Sequence, residues 1–176
     1  MMRSRRLYIT RTGGTVDAES LRAIFGLATR ALAANLEGFT DEDALAQPPG
    51  GGNCVNWVVG HIIVHRNHML RVLGQEPAWD ADADARYDRG SAPVTGAEGA
   101  LPLATLTEAL DRSREAVLAA LESATEEQFA AAPASAGGSA AIPIGRRVAL
   151  LMVHEGYHAG QVATLRRISG RAGAIR

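Results

Sequence analysis

The chain has 176 residues, 47% of them hydrophobic, and a formal net charge of -1. That is enough for one domain with its own core and too short for two, and the hydrophobic content excludes a disordered chain. Near-neutral charge gives no basis for nucleic-acid binding. Positive charge comes from arginine alone, and the arginines near the two ends (Arg3, Arg5, Arg6, Arg11; Arg166, Arg167, Arg171, Arg176) read as a solvated fringe. No stretch approaches the ~18 uninterrupted apolar residues of a membrane span. The basic start MMRSRRLYITRTGG is followed by no apolar signal-peptide core. A single cysteine, Cys54, excludes an internal disulfide framework and fits a reducing compartment, so the expected location is the cytoplasm.

Residues 1–15 read as a poorly ordered extension, whose one strand-like run, Leu7 to Thr10, is too short to support a sheet. Four helical segments follow. The first spans about Val16 to Phe39, with Leu21, Ile24, Phe25, Ala28, Leu32 and Leu36 forming an i, i+3, i+4 stripe. Thr40-Asp41-Glu42-Asp43 suits a short capped turn, and Pro48-Pro49-Gly50-Gly51-Gly52 stops any helix. The second begins near Asn53, a good N-cap, and runs to about Leu73, before Gly74. Residues 75–102 read as irregular. The third covers about Leu103 to Ala124, with Leu106, Leu110, Val117 and Leu121 on one face; the Glu126-Glu127 turn and a small-residue stretch over 130–142 follow. The fourth runs from about Pro143 to Ser169, with Gly170 beyond and a tail over 171–176. The expectation is an all-α, four-helix domain over 16–170, with any ligand site between facing helices.

The five histidines fall in two of these segments: His61, His65 and His68 in the second, His154 and His158 in the fourth. Residues four apart on a helix lie within about 40° of each other, so each window presents its imidazoles on one face. Neutral imidazole is the commonest protein metal ligand, and two such faces could close on one ion. A lone histidine is more often hydrogen-bonded at a core edge; five on two faces favour metal.

His154-Glu155-Gly156-Tyr157-His158 also matches H-E-x-x-H, which in metalloproteases supplies two zinc ligands and a general base. A protease needs a third ligand further on, and no His, Asp or Glu follows His158. That reading is set aside.

Phe39-Thr40-Asp41-Glu42-Asp43, Asn56-Trp57-Val58-Val59-Gly60-His61-Ile62 and His154-Glu155-Gly156-Tyr157-His158-Ala159-Gly160-Gln161-Val162 together resemble the DinB/YfiT-like superfamily, across nearly the whole chain after the first 15 residues. The resemblance implies an up-down-down-up four-helix bundle with a divalent metal held by His61, His154 and His158, zinc or nickel being expected, and frequent dimerisation. It implies activities such as transfer of a low-molecular-weight thiol, thiol-dependent isomerisation or metal-dependent hydrolysis. The family often carries Arg directly after the last ligand, where this chain has Ala159. Any partner- or substrate-binding role of that arginine is therefore absent or moved.

Other residues have readings of their own. Gln161 shares the ligand face and suits either an orienting hydrogen bond or plain packing. Arg147, about 10 Å along the axis from His154, could receive a carboxylate of a thiol cofactor or simply face solvent. Glu155, about 100° from His154, is the candidate catalytic base. His65 is the alternative ligand to His61, whereas His68 suits packing. Cys54 and Trp57 read as core, and Asp80, Asp82 and Asp84 as a solvated acidic loop without the glycine and glutamate of a calcium site. The expected function is thiol transfer by a metal enzyme, with hydrolysis or non-catalytic metal binding as rivals, a small molecule as substrate and no nucleic-acid or membrane partner. Broad apolar arcs on the second helix (Val55, Val58, Val59, Ile62, Ile63, Val64) and the fourth (Val148, Leu150, Leu151, Met152, Val153) suggest a homodimer.

Overall fold

The computed structural model describes residues 16–133 and 141–175, so the extension over 1–15 lies outside the described residues. All regular structure among them is helical: α1 (Ala18–Leu36), α2 (Asp41–Leu45), α3 (Val55–Val72), α4 (Ala81–Tyr87), α5 (Leu103–Ser123), α6 (Glu126–Ala130) and α7 (Ile144–Ile168). The four long helices are those the apolar periodicity indicates. The three short ones lie in connections that the sequence marks only as turns or irregular chain.

Local chemistry explains the boundaries. Asp17 caps α1 by accepting from the Ser20 backbone N–H at 2.7 Å. Thr40 and Asp43 form a reciprocal capping box on α2, as do Thr125 and Gln128 on α6, each satisfying two backbone donors that a helix start leaves free. Asp80 caps α4 through the Ala83 N–H. Asn53 is not the cap of α3: that position belongs to Cys54, which makes no capping bond and instead directs its thiol to the Val94 carbonyl. Helices α3 and α7 end alike, on Gly74 and Gly170 in the left-handed region. There Gln75 N–H bonds Leu70 O and Arg171 N–H bonds Arg166 O, closing the final turns.

Helix α1 packs on α7, α7 on α3, α3 on α5 and α5 on α1. Two apolar clusters fill the interior. One joins Leu21 and Phe25, Met69 and Leu70, Val117 and Leu121, and Val148 and Met152. The other joins Leu32 and Leu36, Val55 to Val64, Leu103 to Leu110, and Ala159 to Leu165. The first therefore gathers the N-terminal halves of α1 and α7 with the C-terminal halves of α3 and α5, and the second gathers the reverse. Helices α1 and α7 run one way; α3 and α5 run the other.

Between the clusters lies a polar layer with one residue from each long helix: Thr29, Arg66, Ser113 and Glu155. On every helix this residue falls between the members of the two apolar sets. Arg66 bonds both Glu155 oxygens, through Nε at 3.1 Å and Nη2 at 2.7 Å, and its remaining donors reach the Leu110 carbonyl, Ser113 Oγ and Thr29 Oγ1. All five guanidinium N–H groups thereby have partners, the condition under which a charge tolerates burial.

The segment over 75–102 is better organised than its composition suggests. Asp84 is no solvated loop residue: it accepts from Asn67 Nδ2, Trp79 Nε1 and Arg71, pinning α4 to α3. Tyr87 and Val94, both buried, join the second apolar cluster. This segment, with α5 and α7, covers the broad apolar surface of α3, whose Val55, Val58, Val59, Ile62, Ile63 and Val64 are all buried within one chain. Contrary to the expectation from sequence, these six α3 residues leave no exposed apolar surface for a second chain to cover. Ile24, assigned to the inward stripe of α1, lies on the surface at 52% exposure, because the buried stripe needs only Leu21, Phe25, Leu32 and Leu36.

Candidate metal centre

The histidines lie beside the polar layer, where α3 faces α7. One ligand atom from each of His61, His154 and His158 falls within 4.8 Å of the others, and no carboxylate or thiol joins them among the described residues. His65, weighed as an alternative ligand, is not in the group.

Hydrogen bonds set which ring nitrogens are free. His61 Nδ1 lies 2.8 Å from the Tyr87 carbonyl oxygen, which can only accept, so the proton of His61 is on Nδ1 and Nε2 keeps its lone pair. His158 Nδ1 donates in the same way to Gln161 Oε1 at 2.9 Å. His158 Nε2 is then bare, and the 3.2 Å contact between the Nε2 atoms of His158 and His154 holds one proton, carried by His154. Lone pairs converging around a single removable proton suit a divalent cation, which would take that proton's place. Gln161 acts here by orienting His158, as a ligand's outer partner does.

The rings of His61, His65, His154 and His158 are biased toward the neutral form that binds metal. Burial lowers the pKa of His61 and His158 from the usual 6.5. Burial, reinforced by mutual repulsion of neighbouring rings, lowers His65 to about 3 and His154 to about 4.

The supports of His61 come from the 75–102 segment. Tyr87 lies against α3 at Gly60, where an added Cβ would overlap the phenol ring. The Tyr87 hydroxyl donates to Asn56 Oδ1 at 3.0 Å and accepts the Leu101 N–H, and Asn56 Nδ2 returns a bond to the Leu101 carbonyl. Trp57, one turn before His61, stacks on its ring at 4.6 Å and donates Nε1–H to Ser91 Oγ. The Asn-Trp-x-x-Gly-His stretch is therefore the scaffold of one ligand, with Tyr87 supplied from far along the chain.

Glu155 is placed differently from its neighbours. It lies on the core stripe of α7 with Val148, Met152, Ala159 and Val162, fully buried, its carboxylate in the ion pair with Arg66. The structure thus brings this candidate base to a guanidinium, and both of its oxygens are engaged there. The pair is legible in retrospect: Arg66 follows Ile62 and Ile63 on a buried stripe, and a charge there needs an opposite partner. Arg147 is half-buried in the first turn of α7, two turns from His154. Cys54 and Trp57 are buried, as expected.

An all-helical fold with three converging histidines defines a class of candidate metal-binding helical proteins. The family model of the DinB superfamily matches residues 25–162, and the chain belongs to that superfamily. A crystal structure of a conserved protein from Enterococcus faecalis shares the fold with a TM-score of 0.67 and 16% identity, over 86% of this chain and 95% of that one. No curated protein matches the sequence significantly.

Proposed function

We propose that this protein is a metal-dependent enzyme, with zinc or nickel held by His61, His154 and His158, that transfers a low-molecular-weight thiol to an electrophile. The frame is a four-helix bundle of up-down-down-up course, a reading supported by the opposed helix directions. The observation that carries the function is the convergence of three neutral imidazoles with no fourth protein ligand among the described residues. Three ligands leave a position open for an exogenous group, whereas structural sites are closed by four. When bound, such a metal supplies Lewis acidity that favours the thiolate, the reactive form of a thiol.

The chain's own residues do the rest. Tyr87 and Gln161 hold the His61 and His158 rings with Nε2 inward. The buried Trp57 excludes water from the far face of His61. Tyr157, 71% exposed and edge-on to the His158 ring, offers an aromatic wall to an entering substrate. In the overall reaction the thiol loses its proton, and a sulfur–carbon bond forms as the bond from carbon to the leaving group breaks. Work in the reducing cytoplasm keeps both the thiol substrate and Cys54 reduced.

The test is a panel of low-molecular-weight thiols with a generic electrophile, using metal-loaded protein, chelated protein and His154→Ala. Thiol consumption that needs both metal and His154 supports the proposal. Metal-dependent ester or amide cleavage without thiol consumption favours hydrolysis; metal binding with neither reaction favours a non-catalytic role. We also propose a homodimer, since Leu150 and Val153 are apolar residues on an outer face of α7 that the chain leaves exposed. A mass near 18.5 kDa at all micromolar concentrations would defeat that part.

A further inference from the structure

The three imidazoles are not held alike. His61 and His158 are each oriented by a hydrogen bond from Nδ1, to Tyr87 and Gln161. His154 has no such tether: its Nδ1 is buried and bonds nothing. What contacts it instead is His65, whose ring lies nearly parallel to it, with centroids 3.6 Å apart and planes inclined by 25°. His65 also meets the His61 ring edge-on at 4.6 Å and is backed by His68 at 5.3 Å. Its own Nδ1 is buried without a partner, so the ring is not held there by a hydrogen bond from that atom.

From this asymmetry we infer that His65 is a positioning residue for the metal centre, fixing the plane of His154 by ring stacking where the other two ligands use hydrogen bonds. The inference rests on the metal reading above. A flat face at 3.6 Å opposes rotation of the His154 ring about its χ2 bond, a torsion that is intrinsically broad for histidine. The edge contact with His61 sets the same ring against a second ligand, so one side chain of α3 keys the ligand of α7 to that of its own helix. What the site requires of position 65 is then an aromatic face, not a nitrogen.

Three variants separate these. His65→Phe keeps a face and removes both nitrogens; His65→Leu fills space without a face; His65→Ala removes both. Cobalt(II) and zinc affinities are measured by competition, with the cobalt visible spectrum recorded. The ring-proton shifts of His154 are followed in metal-free protein, and thermal melts check folding. The expected result is an affinity loss of about 10-fold or more in the Leu and Ala variants, the range for loss of a ligand's supporting partner, with Phe close to wild type. The His154 ring protons are shifted upfield in wild type and Phe, and not in Leu. Equal affinity in Leu and Phe would overturn the inference. So would a Phe variant as weak as Ala with an altered cobalt spectrum, which would make His65 a ligand through nitrogen. Wild-type protein that takes up no metal defeats the metal reading itself, while the upfield shift still reports whether the stack exists.

Discussion

Arg66 and Glu155 meet at the centre of the protein, one on α3 and one on α7, with both carboxylate oxygens on the guanidinium and neither side chain exposed beyond 1%. They are the immediate neighbours of His65 and His154, so the ion pair fixes the register of the two helices that carry every histidine. Arg66 also stands over the Phe25 ring, 5.1 Å from its centroid, which ties α1 to the same layer.

Breaking this pair is expected to cost stability before it costs chemistry. Glu155→Gln leaves the Arg66 charge buried without an anion, a loss of about 3–5 kcal/mol. Replacing both by apolar residues of similar volume, as in Arg66→Met with Glu155→Leu, is expected to recover most of it. Denaturant unfolding of the single and double variants checks this. A Glu155→Gln protein of unchanged stability and abolished turnover would instead return Glu155 to the role of base.

Gly60 is expected to tolerate no side chain. In Gly60→Ala the new methyl overlaps the Tyr87 ring, and overpacking of this kind costs about 1–3 kcal/mol. Because the Tyr87 carbonyl holds His61, metal affinity should fall along with the melting temperature. Calorimetric titration with zinc, alongside melts of the metal-free protein, measures both.

Gln161→Leu removes the acceptor of His158 Nδ1–H while keeping the helix and its packing. The expected effect is a metal affinity lower by about 10-fold or more, with little change in folding stability, since Gln161 is only half-buried. Gln161→Glu, which keeps an oxygen acceptor, should restore binding. Equal weakening in both variants would place the role of Gln161 elsewhere than on His158.

The metal-free protein should lose stability in mild acid. His65 and His154 titrate near 6.5 when unfolded but only at about 3 and about 4 in the folded chain, where burial disfavours the cation. Below pH 6.5 the unfolded state therefore binds more protons, and stability falls as pH drops from about 6.5 to about 4 for His154 and on to about 3 for His65. Asp43, lowered to about 2 by its capping bonds and Arg171, contributes only at lower pH. Melting temperatures from pH 7.5 to 4.5 should decline in wild type and decline less in His65→Phe. A flat profile over that range would show that the rings are not held neutral.

The sequence by itself determined the four long helices, because their apolar residues recur with helical period and Gly74, Pro143 and Gly170 mark some of their ends, all local signals. It also determined which residues could form a metal site, since i, i+4 spacing alone puts His154 beside His158 and His61 beside His65. It did not determine α4, which is held by contacts over long separations, Asp84 to Asn67 and Tyr87 into Gly60, nor the tie between α2 and α5, where Asp41 accepts the first N–H of α5. Only the tertiary structure decided that Glu155 belongs to Arg66 and that His154 rests on His65. Both pairings depend on the rotation and register of α3 against α7. Those are fixed by packing of the whole interior, in which a residue 100° from its neighbour on one helix faces a different partner altogether.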